Sequence, residues 1–159
     1  MDNSQLLLSN QICFPLYSVS RLITKAYTPY LKKMGLTYPQ YLVMMALWEK
    51  DEISVNQIGE QLLLETNTLS PLLKRMEKMD LIQRNRSTED ERCVKIALTQ
   101  KGKDLKITAI PIPEQLLQNL LSENIEVEEI VHLKDMLTNW IEVLAKKHQS
   151  AERHGTTNK

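Results

Sequence analysis

The order of patterns between residues 54 and 98 limits this chain more than any other feature. Ser54-Val55-Asn56-Gln57 reads as a capping box, with a hydroxyl for the N3 amide and a Gln side chain returning to the N-cap amide. It opens a short helix through Leu62 to Leu64, with Val55, Ile58 and Leu62 on one face. After Glu65, Thr66 is placed to cap a second helix, whose stripe Leu69, Leu72, Leu73, Met76 and Met79 has helical spacing. Residues 82–86 and 93–98 then alternate as strands around the charged turn 87–92, which predicts a hairpin. Two short helices with a tight join and a hairpin directly behind them make a helix-turn-helix with a wing. The expected fold class is mainly α with a small β-hairpin wing.

The remaining segments read as helices. Glycine is scarce, 4 in 159 residues, so few positions interrupt them. From about 9 to 34, Ile12, Leu16, Val19, Ile23, Ala26, Tyr27, Tyr30 and Leu31 recur three or four apart. Pro15 falls in the first turn, where a missing N–H is harmless, whereas Pro29 should kink or split the helix before Gly35 caps it. Thr37-Tyr38-Pro39-Gln40 is a second capping box, and the run 41–48 behind it is apolar nearly all round, the mark of a central helix. Thr99 caps a helix running past Ile110, with Pro111 and Pro113 interrupting it. Helix resumes over 116–121, Ser122-Glu123-Asn124 reads as a loop, and 125–147 is a last long helix. Its face carries Ile130, Leu133, Leu137, Ile141 and Leu144, and the polar stretch 149–159 is expected to be a disordered tail.

The expected organisation is one domain, 1–159. Segments 37–98 form its winged helix, and 9–34 with 100–148 form a helical dimerisation layer, because the long terminal helices have no other visible partner. A symmetric homodimer would carry two wings and address an inverted repeat in double-stranded DNA, with half-sites about one helical turn apart. No run reaches the roughly 18 apolar residues of a membrane span. The N-terminus lacks the basic region of a signal peptide, and two cysteines make no disulfide scaffold. A cytoplasmic protein without membrane contact is the expectation.

Charge supports the DNA reading only locally. Twenty basic residues balance twenty acidic ones overall, yet residues 66–106 carry 10 Lys/Arg against 6 Asp/Glu. That field suffices at physiological salt, because screening makes the local charge the relevant one. On the second helix, Asn67, Thr68, Ser70, Lys74 and Arg75 lie opposite the apolar stripe. Thr66, Asn67, Thr68 and Ser70 suit base edges and phosphates, and Lys74, Arg75, Arg84, Arg86 and Arg92 suit phosphates or groove contacts. His132, His148 and His154 lack ligand spacing, so neither a metal nor another cofactor is expected.

Asn10-Gln11-Ile12-Cys13-Phe14 with Leu16-Tyr17, then Leu36-Thr37-Tyr38-Pro39-Gln40-Tyr41, then Pro71-Leu72-Leu73-Lys74-Arg75-Met76-Glu77, then Arg86-Ser87 and Asp90-Glu91-Arg92, resemble the MarR family of bacterial repressors. The closer resemblance is to its organic-hydroperoxide-sensing branch, over about residues 8–148. The resemblance implies a winged-helix dimer in which Cys13 is the oxidised thiol. It implies that Tyr38 and Tyr27 correspond to tyrosines that hydrogen-bond this thiol across the dimer, with Tyr17 a neighbouring position. Arg92, with Asp90 beside it, matches a wing tip that enters the minor groove, which would favour A·T-rich sequence. No cysteine lies between Lys101 and Lys159, where some members carry a resolving thiol.

The chemistry of such a switch begins at a thiolate, favoured by hydrogen-bond donors or a helix N-terminus. Cys13 lies near a helix start, with tyrosine hydroxyls expected in reach. Oxidation by an organic hydroperoxide would give a sulfenic acid, then a mixed disulfide with a low-molecular-weight thiol or a sulfinic acid. Cys93, in a wing strand, reads as structural or passive. Two alternatives stand beside this one: release by a small phenolic ligand, and a thiol peroxidase-like enzyme, which would need basic support that only Arg21 offers near Cys13.

Overall fold

The computed structural model describes residues 3–86, 94–121 and 125–155. Two compact units divide the chain, residues 1–114 and 115–159.

In the first unit, two 3-10 turns (Ser4–Leu6 and Leu8–Asn10) precede helix α1, Cys13–Met34. Helix α1 runs unbroken through Pro29, so of the two expected outcomes, a kink or a split, the split does not occur. The carbonyl deprived of its partner there is that of Lys25, and both residues are exposed, so water can satisfy it. Gly35 caps the helix in the left-handed region at φ 68°, donating to the Leu31 and Lys32 carbonyls.

Helix α2, Tyr38–Glu49, starts on the expected capping box, the Thr37 N–H donating to Gln40 Oε1 at 2.8 Å. It buries Gln40, Tyr41, Val43, Met44, Ala46 and Leu47 and touches the elements on every side, as its all-round apolar sequence requires.

A short strand β1, Ile53–Ser54, follows, then helices α3, Val55–Leu62, and α4, Thr66–Lys78. The Ser54 box is present, with the Gln57 N–H donating to Ser54 Oγ at 3.1 Å and the Ser54 N–H donating to Gln57 Oε1 at 2.9 Å. At α4 the cap is Glu65 rather than Thr66, which is the first helical residue. Strands β2, Ile82–Arg86, and β3, Val94–Leu98, pair antiparallel with Arg84 opposite Ile96. The expected hairpin thereby gains a third strand, since β1 pairs antiparallel on the other edge of β3, Ile53 opposite Ile96.

Helix α5, Gln100–Ala109, begins on Thr99, whose hydroxyl accepts the Gly102 N–H at 3.1 Å. Helix α6, Ile112–Leu120, starts just before Pro113, so the proline-rich stretch divides two helices. The core of this unit joins Leu31, Tyr41, Met44, Leu47, Ile58, Leu73, Met76 and Ile96, all nearly inaccessible to solvent.

Asp51 ties three parts of the unit together. Its Oδ1 accepts the Leu98 N–H at 2.8 Å and the Glu52 N–H at 2.9 Å, and Lys103 Nζ lies 3.5 Å from Oδ2. The Lys103 pair is solvent-screened, so the two amide bonds carry most of the effect. Asp51→Ala should lower unfolding stability by about 1–2 kcal/mol, read in urea titrations, whereas Lys103→Ala should change it by a few tenths at most.

In the second unit, helix α7 spans Val127–Gly155, the Glu126 N–H bonding back to Glu129 Oε2 at 3.0 Å. It extends beyond the expected end, so residues 149–155, read from sequence as a tail, are helical; 122–124 and 156–159 lie outside the described residues. Polarity alone did not separate tail from helix, because the Gln, Ala, Glu and Arg of this stretch are good helix formers. Among the described residues no helix is long and apolar enough to cross a membrane.

Candidate functional site

Two sets of side chains stand out in the first unit. The first is the outer face of α4. Its inner stripe, Leu69, Leu72, Leu73 and Met76, is buried and fixes the helix rotation about its axis. Thr66, Asn67, Thr68, Lys74 and Arg75 are consequently exposed and Ser70 half-buried. The join to α3 is tight: Leu63 adopts φ 54°, and the Leu64 N–H donates to the Gly59 carbonyl at 2.9 Å. A Cβ on Gly59 would stand 2.9 Å from the Leu64 oxygen, so only glycine lets the turn close this way. Arg84 is exposed on β2, and Arg86 ends that strand. The structure therefore brings the α4 residues onto one face as expected. Asp90, Arg92 and Cys93 lie outside the described residues.

Glu65 is a residue that pattern reading passed over. Its Oε2 accepts from Asn67 Nδ2 at 3.1 Å, and Asn67 Oδ1 accepts from Thr68 Oγ1 at 3.2 Å. An acidic residue at a helix start was the available signal.

The second set concerns the thiol. Cys13 is the first residue of α1 and is exposed. Tyr17, one turn on, is exposed too; its hydroxyl accepts from Arg21 Nη1 at 2.8 Å, and the guanidinium carbon lies 5.5 Å from the ring centre. Arg21 thus engages the phenol rather than standing free beside the thiol. Tyr27 and Tyr38 are elsewhere. Tyr27 lies 14 residues along the same helix, about 21 Å at 1.5 Å per residue. Tyr38 packs on Tyr27, ring centres 5.2 Å apart. Within one chain these hydroxyls are therefore not in reach of Cys13, because one unbroken helix separates the thiol from Tyr27.

Tyr27, Tyr38 and Tyr41 form one aromatic cluster, continued by Trp48 at 6.1 Å from Tyr41. Burial, then the neighbouring Tyr38 and Tyr41 hydroxyls, push the Tyr27 phenol up to about 12. Burial raises Tyr38 as well, and Tyr41 by burial and then Tyr38. All three stay protonated donors at neutral pH. For Tyr27 the folded value exceeds the unfolded 10.0. Its contribution to stability is complete below pH 10 and is lost as pH rises towards 12. Tyr27→Phe should shallow the alkaline decline of stability relative to the parent chain, and tyrosinate absorbance should show one late-titrating phenol fewer.

An apolar groove of about 300 Å³ lies between α2 and α5, lined by Tyr41, Met45, Trp48, Glu49, Lys106, Ala109, Ile110 and Pro113. On α1, Phe14, Tyr17, Val19 and Leu22 are exposed apolar groups, and on α7 so are Leu133, Met136, Trp140, Ile141 and Leu144. Patches of this kind mark association surfaces.

Comparison with known proteins places these features in context. Residues 25–108 match the family model for the transcriptional regulator SarA/Rot. The chain is 48% identical over 141 residues to the organic hydroperoxide resistance transcriptional regulator of Bacillus subtilis, covering 89% of this chain and 94% of that one. Among solved structures it is similar to reduced AbfR bound to DNA, from Staphylococcus epidermidis, with a TM-score of 0.73 and 35% identity over 91% of this chain and 99% of the other. Overoxidized AbfR bound to DNA gives 0.71 at the same identity and coverage.

Proposed function

Because the chain belongs to the MarR family of winged-helix transcriptional regulators, in its organic-hydroperoxide-sensing branch, we propose that it is a redox-sensing DNA-binding regulator. It binds an inverted-repeat operator in double-stranded DNA as a homodimer, in the cytoplasm, and releases it when Cys13 is oxidised. The observation that carries the reading is α4, whose polar and basic face is held outward by a fully buried leucine stripe.

Thr66, Asn67, Thr68 and Ser70 serve base edges and nearby phosphates, while Lys74, Arg75, Arg84 and Arg86 neutralise phosphates. Arg92, with Asp90, serves as the wing tip. Segments 9–34 and 100–148 build the dimer layer, which would cover the apolar side chains left exposed on α1 and α7.

In the thiol reaction the Cys13 thiolate attacks the distal peroxide oxygen. The O–O bond breaks, the alcohol leaves after taking a proton, and the sulfur becomes a sulfenic acid. A small thiol then condenses with it, forming the S–S bond and releasing water. In the dimer the thiol would meet Tyr27 and Tyr38 of the second copy, with Tyr17 alongside; oxidised sulfur can no longer hold those bonds, and the wings are respaced.

Titrating a DNA complex of the reduced chain with organic hydroperoxide tests this, with intact mass read in the presence and absence of small thiols. Arg75→Ala should flatten the slope of log affinity against log salt by about one unit. An unchanged slope would remove Arg75 from the interface. The apolar groove between α2 and α5 favours a second reading, release by a small phenolic ligand, which would act equally on Cys13→Ser.

A further inference from the structure

The first turn of α4 carries a hydrogen-bonded chain of side chains that begins at its N-cap, Glu65. Glu65, Asn67 and Thr68 are all exposed, yet Asn67 is held at both ends of its amide. A carboxylate only accepts, and it takes a hydrogen from Nδ2; the Thr68 hydroxyl donates to Oδ1. The two neighbours together fix which end of the amide is NH₂. These contacts leave one amide hydrogen and one lone pair on Oδ1.

A donor and an acceptor on one amide match one base edge in the major groove. Adenine presents N7 as acceptor and N6–H₂ as donor, the pairing an Asn side chain makes bidentately. Guanine presents two acceptors there, so Oδ1 would face an oxygen or N7 unpaired. Phosphate is a poor alternative target, because Asn67 is tethered to a carboxylate that repels it. The position agrees: N-terminal residues of the second helix are those that reach base edges.

Resting on the DNA-binding reading above, we infer that Asn67 reads an adenine in each half-site and that Glu65 is its positioning residue. Glu65 acts through the amide it orients, and its own charge weakens binding to DNA in general.

The test uses the reduced full chain and a pool of duplex DNA with a randomised central stretch. The parent chain should enrich adenine at one position of each half-site. Asn67→Ala should lose roughly tenfold discrimination at that position alone, with an unchanged salt slope because no charge is removed. Glu65→Ala should relax the same preference while binding random DNA more tightly. Glu65→Gln, which still accepts from Nδ2, should keep the preference. If Asn67→Ala retains the parent preference at every position, the inference is wrong. Tight binding by the parent chain with no enriched sequence also overturns it while leaving DNA binding intact, and failure of the parent chain to bind any duplex overturns both readings.

Discussion

Cys13→Ser is expected to bind DNA as the parent chain does and to stay bound when organic hydroperoxide is added. Serine keeps the size of the side chain and a hydrogen-bonding group, and Cys13 is exposed at the start of α1, so the fold loses nothing by the exchange. What disappears is the nucleophile, since a hydroxyl does not form a sulfenic acid with a peroxide. The effect is large because a switch must be large: moving DNA occupancy from 99:1 to 1:99 needs roughly 10⁴-fold differential affinity between two states. In a fluorescence-anisotropy titration the parent complex should dissociate and the variant complex should not. Release of Cys13→Ser by the same oxidant would exclude Cys13 as the input.

Gly102→Ala should be the most damaging of the small substitutions in the first unit. A Cβ at position 102 would stand 2.1 Å from the Leu81 carbonyl oxygen and 3.2 Å from Leu98 Cδ2. That oxygen cannot retreat freely, because it accepts the Thr99 N–H at 3.1 Å, and the Gly102 carbonyl is itself held by Trp48 Nε1 at 2.9 Å. Either α5 moves or the turn into β2 moves. Overpacking against backbone of this kind costs about 3 kcal/mol, or a Tm lowered by roughly 10 °C in a domain of this size. The sign is the telling part. At an unobstructed helical position glycine to alanine stabilises by about 0.5–1 kcal/mol, so a raised Tm would contradict the close approach of α5 to Leu81. DNA affinity should fall with stability, because β2 carries Arg84.

Most of the fold could be read from sequence where the signal is chemical and local. The Thr37 and Ser54 capping boxes, Gly35 and Thr99 act through their own neighbours, and each ends or starts a helix as expected. Elements defined by distant partners were not legible. Strand β1 has two residues, too few to alternate, and exists because Ile53 finds Ile96. Asp51 belongs to no local pattern, and its value lies in an amide 47 residues away. Of the candidate site, the α4 face was legible because one helical period specifies both its buried and its exposed side. The thiol site was legible as a list of residue types but not as a place, since Cys13 and Tyr27 sit towards opposite ends of one helix.

If the thiol and the phenols together sense the oxidant, as proposed, that separation would give each molecule two half-sensors, a thiol at one end of α1 and phenols near the other. A symmetric pair would then contain two whole sensors, each assembled from both members. A chain lacking the thiol and a chain lacking the phenols, mixed into one pair, would leave one sensor intact and the other missing both halves. Sensing would thus be subject to complementation between subunits: two individually deaf proteins could hear together.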